Sequence, residues 1–300
     1  MAMVTKRTKG EIVFDWVNVI FIAALSLLFI YPMYYSLCAS LSDPLYVVSN
    51  TGLYWKPVGW NFEGYKTVLS NPNIINGYKN TMINVVLGTV INMFLTLLGA
   101  YALSRRQMKL KKLLTILIVF TMYFSGGMIP TYLVVKGVGL YNTRLALLLP
   151  GAVSTWNLIV MKTCFQQMPA SLEESARLDG ANDFTILFRI IVPLSQATIA
   201  VIALFYAVGH WNAWFDASIY LRGRELYPLQ LVLREILISG STLTSAESFS
   251  TGGMDMSQSY LIEELVKYCA IIVSTVPILC VYPFVQRYFI TGIMMGSLKE

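Results

Sequence analysis

Apolar residues gather in six blocks of about twenty residues or more, at 14–40, 82–103, 113–135, 145–165, 190–219 and 265–289. Charges, glycines and turn residues collect between them. About twenty apolar residues are what an α-helix needs to cross ~30 Å of hydrocarbon. The ten-residue alternating segments of a membrane β-barrel are absent. The pattern predicts an all-α, polytopic membrane protein with six transmembrane helices, the first bent in its outer half by Pro32. It divides the chain into 1–78, holding the N-terminal tail, first helix and first external loop, and 79–300, a core of five helices. The turn-rich stretches SDPLYVVSNTGLYWKP and SGSTLTSAESFSTGGMDMS predict irregular connections with short helices between them.

Composition sharpens the class. The 300 residues are 56% hydrophobic and only 13% charged, with a mean hydropathy of +0.61, which excludes an ordinary soluble domain. The net charge of +6 is scattered through short loops and reads as topology, with a lipid bilayer and no nucleic acid as its partner. The connection SRRQMKLKKL, with Arg105, Arg106, Lys109, Lys111 and Lys112, is the densest positive segment, and the tail adds Lys6, Arg7 and Lys9. Both are therefore assigned to the cytoplasm. Six spans then leave both termini inside and the loops 42–78 and 220–264 outside. The apolar run after the basic head is too long for a cleaved signal and reads as a retained first helix. Cys38, Cys164, Cys269 and Cys280 have no CxxC spacing and read as packing residues. One histidine, no H-E-x-x-H, no G-x-S-x-G and no Walker A loop leave no basis for an enzyme, for a metal site or for ATP binding by this chain.

One polar insert breaks the pattern. LEESARLDGAND, residues 172–183, carries five charges and falls between spans four and five. Ser171 and Glu174 have the S-x-x-E spacing of a capping box, Glu173 and Arg177 pair at i,i+4, and Gly180 suits a left-handed helix end. Asn182 or Asp183 then caps a second helix with Phe184, Leu187, Phe188 and Ile191 at helical spacing, and Pro193 marks the entry to span five. The predicted unit is helix, sharp bend, helix. Two readings stand side by side. One is an interfacial hairpin. The other is a docking element for a basic protein partner, because Glu173, Glu174, Asp179 and Asp183 are a poor match to anionic headgroups.

Polar groups inside the spans call for function or for packing. Trp211, Asn212, Trp214 and Asp216, next to His210, suit a sugar pathway, since indole rings stack on sugar faces and amide or carboxylate groups bond hydroxyls. An aromatic belt and helix–helix hydrogen bonds are the alternatives. Asn84, Asn92 and Asn157 face the same choice, and packing is favoured for all three. Gly126 and Gly127, after Ser125 and before Pro130, fit either a discontinuous helix lining a cavity or an end kink.

The stretch EESARLDGANDFTILFRIIVPLS resembles the EAA loop of ABC importer permeases: Glu174-Ser175-Ala176, Gly180, Ile190 and Val192-Pro193 fall on its pattern, with Ser175 and Val192 as departures. Asp179 before Gly180, Ala181 after it and the upstream PASLEE are similar to the carbohydrate-uptake branch, the maltose-type inner permease subunits. SGGMIPTYLVVKGVGLYNT and YPLQLVLREIL resemble its oligosaccharide importers. The resemblance implies a coupling loop at about 169–193, with Glu173, Glu174, Ser175, Ala176, Arg177, Asp179, Gly180, Ala181 and Pro193 engaging an ATPase. Glu174 is the expected partner of a basic ATPase residue. It further implies a heterodimer with a second permease subunit, a cytoplasmic ABC ATPase dimer that binds the ATP and Mg, so that this chain itself needs no cofactor, and an extracytoplasmic solute-binding protein that docks on the loop 220–264. The C-terminal TGIMMGSLKE can also reach the ATPase. The setting is a prokaryotic cytoplasmic membrane. Import of a non-sugar solute is the alternative, or a channel or secondary transporter not driven by ATP, although the span centres lack the buried charges that ion coupling needs.

Overall fold

A computed structural model describes residues 8–50, 52–105, 108–239 and 256–297, and every regular element among them is helical. In chain order these are α1 (Lys9–Ser40), α2 (Pro44–Ser49), α3 (Glu63–Ser70), α4 (Pro72–Ser104), α5 (Lys111–Tyr123), α6 (Met128–Gly137), α7 (Leu145–Leu148) and α8 (Thr155–Gln166). Then come α9 (Ala170–Leu178), α10 (Asp183–Ile186), a π-helical turn (Leu187–Ile191), α11 (Val192–Leu194), α12 (Gln196–Trp211) and α13 (Phe215–Tyr220). A 3₁₀ turn (Arg224–Leu226), α14 (Leu229–Ser239) and α15 (Met256–Ser297) complete the series. The contacts divide into two units, Met1–Asn71 with Ile236–Thr275, and Pro72–Glu235 with Val276–Glu300.

In the first unit, α1 starts from a capping box in which the Thr8 hydroxyl accepts from Glu11 N (3.3 Å) and the Glu11 carboxylate from Thr8 N (2.9 Å). Its apolar window is entirely exposed, with Val13, Phe14, Leu27 and Phe29 each more than half bare, as a helix wrapped by lipid requires. Only its last turn is buried, where Cys38 and Ala39 pack with Tyr54. Tyr35 and Tyr46 meet the Tyr54 ring edge-on at 4.8 and 5.6 Å, and Tyr35 lies 6.0 Å from Tyr268 of α15. At Gly64 of α3 a Cβ would fall 2.7 Å from Cys269 Sγ and 2.9 Å from Leu265 Cγ, so glycine is what lets α3 approach α15.

The second unit is built on α4, which packs against α12 and α8. Its largest core joins Leu97, Ala100 and Tyr101 of α4 to Met161 and Phe165 of α8, Ile186, Leu187 and Ile191 of the α10–π turn, and Ile202 and Tyr206 of α12. Asn80, Asn84, Gly88, Asn92, Thr96 and Ala100 recur every fourth residue along α4 and are all buried. Residues four apart share a helix face. This row of small and polar groups lets α12 come close. A Cβ on Gly88 would lie 2.3 Å from His210 Nε2.

Several expected spans are redrawn. The first and second become α1 and α4, α4 starting ten residues early because Pro72 is well placed in a first turn. Pro32 lies inside α1 without ending it. The third is not one helix: α5 and α6 meet at 114°. Gly127 has φ +86 and ψ 176, a conformation essentially restricted to glycine, and Ser125 Oγ accepts its N–H (3.1 Å). The fourth is also split, into the four-residue α7 and the twelve-residue α8, by 149–154 with Pro150 and Gly151. The fifth bends by 90° at Ser195, between Asp183–Leu194 and Gln196–Trp211. The sixth lengthens into α15, whose apolar stretch is Leu261–Val281. Among the described residues, three helices are long and apolar enough to cross a membrane, or five if each bent pair is one crossing. Most of SGSTLTSAESFSTGGMDMS, the basic Lys6, Arg7 and Arg106, and the end of the C-terminal tail lie outside the described residues.

Candidate functional site

The polar insert folds as a two-helix elbow, though its start differs from expectation. α9 begins at Ala170 behind Pro169, whose φ of −58 and ψ of 128 already set the chain, and no side chain caps it. Ser171 is inside the helix and the capping box with Glu174 does not form. Pro169 takes the cap position itself, so the helix starts two residues sooner than a Ser171 cap would set it. The other end matches the glycine signal. Gly180 has φ +81, Ala181 N donates to Ala176 O (2.9 Å), and Gly180 N donates to Arg177 O (3.0 Å). These are the two bonds of a Schellman cap. Asn182, not Asp183, then caps α10 by accepting from Thr185 N at 2.8 Å. The π turn that follows leads into Pro193. Val192 N reaches back five residues to Leu187 O, and the wider turn makes room for a ring that cannot join an ordinary ladder.

The charges of the elbow fall into two groups. Arg177 donates to Glu173 at 3.0 Å, the expected i,i+4 pair, and to Asp183 at 2.6 Å. Arg105, just past the end of α4, also pairs with Glu173, donates from Nε to Ser104 Oγ (2.9 Å) and lies 4.6 Å over the Tyr101 ring. Tyr101 in turn donates to Asp183 Oδ1 (3.3 Å). The Glu173 carboxylate raises the pKa of the Arg177 guanidinium, so its charge is fixed. Glu173 and Asp183 therefore tie α9 and α10 to the end of α4. Glu174 and Asp179 are exposed and make no ion pair with any described residue. Ser175 is exposed beside them, whereas Ala176 is buried in the core and Ala181 packs against it. Leu178, 89% exposed, stands at the tip with Phe184 bare behind it. In the sequence Arg105 reads only as a topology charge, and Leu178 carries no assigned role. A leucine within a charged run is the signal that could have found the second.

The intramembrane candidates do not come together as one site. Trp211 is buried, edge-on to Tyr78 at 6.3 Å, and its Nε1 has no hydrogen-bond partner among the described residues. Asn212 ends α12, and Asp216 is exposed in the first turn of α13. Trp214 lies under the Arg234 guanidinium at 4.1 Å. Asn157 is buried in the first turn of α8, and Gly126 and Gly127 are exposed in the α5–α6 break. No hydrogen bond or ring contact links these groups across the elements that carry them.

The polar contacts of this unit lie instead along the α4 row. The Asn92 amide is 3.0 Å from His210 Nε2 and, oriented to accept from it, donates to Gly88 O (2.9 Å) and Ala152 O (3.3 Å). Thr96 Oγ1 bonds the Tyr206 hydroxyl at 2.8 Å, and that oxygen accepts from Ser154 N (3.0 Å). Arg144 donates to Asn84 Oδ1 (3.0 Å) and Asn80 Oδ1 (2.9 Å), while Asn80 Nδ2 donates to Glu225 O (2.7 Å). These bonds hold helices together, in line with the packing role favoured for Asn84 and Asn92.

Among the described residues, helices long and apolar enough to cross a membrane, with a polar elbow leading into a bent apolar pair, have the make-up of a polytopic membrane protein. Residues 95–224 match the family model described as binding-protein-dependent transport system inner membrane component, and this chain belongs to that family. It is 40% identical over 293 residues to Protein LplC of Bacillus subtilis (strain 168), covering 98% of this chain and 97% of the relative. It is 40% identical over 289 residues to the polygalacturonan/rhamnogalacturonan transport system permease protein YtcP of the same organism, covering 95% and 98%. A chain in the crystal structure of a bacterial ABC transporter involved in the import of the acidic polysaccharide alginate superposes with a TM-score of 0.86 at 32% identity, over 95% of this chain and 100% of that one.

Proposed function

We propose that this chain is one permease subunit of an ATP-driven, binding-protein-dependent importer of oligosaccharides, paired with a second permease and driven through the α9–α10 elbow by a cytoplasmic ATPase dimer. The observation that carries the reading is the partition of charge at the elbow. Glu173 and Asp183 are held by arginines of this chain, and Glu174, Asp179 and Leu178 face outward. That is an acidic, partly apolar tip of the kind that fits a groove in a partner with basic residues. α9 is tied to the end of α4 and continues through α10 into α12, so displacement of α9 moves both helices as a rigid body. Six crossings are assigned to α1, α4, α5 with α6, α7 with α8, α10 through α12, and α15. Both termini are assigned to the cytoplasm, with the binding protein docking on the outer loop 220–264.

For the solute we favour a uronate-containing oligosaccharide. Among similar proteins whose names state a cargo, two at 40% and 32% identity handle galacturonan-type polymers and alginate, while two at 24% and 25% take arabinooligosaccharides and diacetylchitobiose. Arg222 and Arg234 support this: both are exposed, and each guanidinium lies beside an aromatic ring, Tyr141 at 5.5 Å and Trp214 at 4.1 Å. Guanidinium beside ring suits a sugar bearing a carboxylate. The test is purification from the native membrane under mild conditions, followed by transport in proteoliposomes. A second permease and an ATPase are expected to co-purify, with ATP-dependent uptake of oligogalacturonides. A homo-oligomer that transports without ATP would overturn the reading, and uptake of neutral oligosaccharides alone would overturn the solute class.

A further inference from the structure

Between the start of α5 and α8 lies an open groove of about 550 Å³ lined by Lys109, Lys111, Lys112 and Lys162, with Met108, Thr115 and Ile116. The lysines come from two separate parts of the chain. Lys162 of α8 reaches across to donate to Thr115 Oγ1 of α5 (3.2 Å), and Lys111 donates to Ser104 O (3.2 Å). No carboxylate lines the groove, and none of the four ammonium groups is in an ion pair among the described residues. Like charges about 4 Å apart cost about 1 kcal/mol per pair even in water. Topology asks only for positive charge on this side of the membrane. It does not ask that lysines from two elements converge on one concavity without a counter-ion. The groove also opens at the start of α5, whose first turn has no side-chain cap, its leading amide Lys111 N being bonded instead to Lys109 O (2.7 Å).

We infer that this groove binds the phosphate of an anionic phospholipid. Two features favour a lipid over free phosphate. Ile116 lines the groove, and beyond it Leu113, Leu117 and Phe120 of α5 are each about half exposed, a bare apolar track for acyl chains leading away from the lysines. α5 contributes no buried residue, so the track is not covered by this chain. Basic pockets beside transmembrane helices are where anionic headgroups settle. A lipid held there lies between the start of α5 and α8, and Lys111, bonded to Ser104 O, links it to the end of α4 to which α9 is tied. The inference needs only that the chain sits in a bilayer, so it stands or falls apart from the importer reading.

The experiment uses the assembled transporter in nanodiscs of equal phosphatidylglycerol and phosphatidylcholine, extracted and weighed intact by native mass spectrometry. The unmodified protein is expected to retain phosphatidylglycerol in preference to phosphatidylcholine. Lys112→Gln with Lys162→Gln is expected to weaken retention about 30-fold, at roughly one kcal/mol per lysine. Lys112→Arg with Lys162→Arg restores it, because the charge is kept. Inorganic phosphate in millimolar excess leaves the lipid in place. Equal retention of both lipids by the unmodified protein overturns the site, as does undiminished retention in the double glutamine variant. Displacement by inorganic phosphate overturns the lipid assignment. If the glutamine variant does not assemble, the lipid preference and phosphate displacement of the unmodified protein decide the matter alone.

Discussion

The seam between α4 and α12 and the elbow of α9 and α10 are both built from polar side chains, and they use them in opposite ways. Along the seam Asn92 meets His210, Thr96 meets Tyr206, and Gly88 makes room for the imidazole. These groups, all buried but for the half-buried His210, are bonded within the chain, as low-dielectric surroundings demand. At the elbow two of the four carboxylates, Glu173 and Asp183, are bonded within the chain in a network with Arg105 and Arg177, and the other two, Glu174 and Asp179, are left bare. Polar groups satisfied at home are structure. Those left unsatisfied on a rigid mount are the ones available to a partner. The difference predicts that stability and function separate along the chain, and four substitutions probe that separation.

The largest loss of stability is expected at the seam. Gly88→Val drives a branched side chain into His210 and is expected to cost ~3 kcal/mol, the upper end for overpacking, read as a lower thermal midpoint of the purified complex. An unchanged midpoint would mean the helices are not as close as described. Arg105→Ala leaves Glu173, 21% exposed, with Arg177 as its remaining cation. A cost of about 1–2 kcal/mol is expected, with faster hydrogen exchange in α9. Gly180→Ala meets nothing in space and is strained only by its φ of +81. About 1 kcal/mol is expected, confined to protection of the amides at 180 and 181. Glu174→Gln removes no contact within the chain and is expected to stay within ~0.5 kcal/mol of the parent, while uptake falls most of all.

The same contrast governs what could be read from the residues alone. The elbow was legible because caps and glycine stops are local: Gly180, Asn182 and the Glu173–Arg177 spacing each determine geometry within a turn. The exception was Ser171, where Pro169 started the helix first. The apolar blocks located every long helix but not the breaks within them. Ser125-Gly126-Gly127 was visible as a kink signal. The 90° bend at Ser195 was not, since nothing about a serine in an apolar run announces one. The buried row on α4 has a signal in its four-residue spacing, whereas its partners His210, Tyr206 and Arg144 lie 60 to 118 residues away and only packing brings them there. The division of the elbow's acids was partly illegible for the same reason. Glu173 and Glu174 are neighbours in sequence; the spacing to Arg177 marks Glu173, but its hold by Arg105, 68 residues upstream, has no local signal.

That division is tested most directly by substrate-stimulated ATP hydrolysis of the reconstituted transporter carrying Glu174→Lys, measured beside its thermal midpoint. The account predicts an unchanged midpoint and intact association of the two permeases, with hydrolysis no longer responding to the loaded binding protein. A variant that hydrolyses and responds like the parent would show that the exposed acid is surface decoration and that the ATPase grips this chain elsewhere.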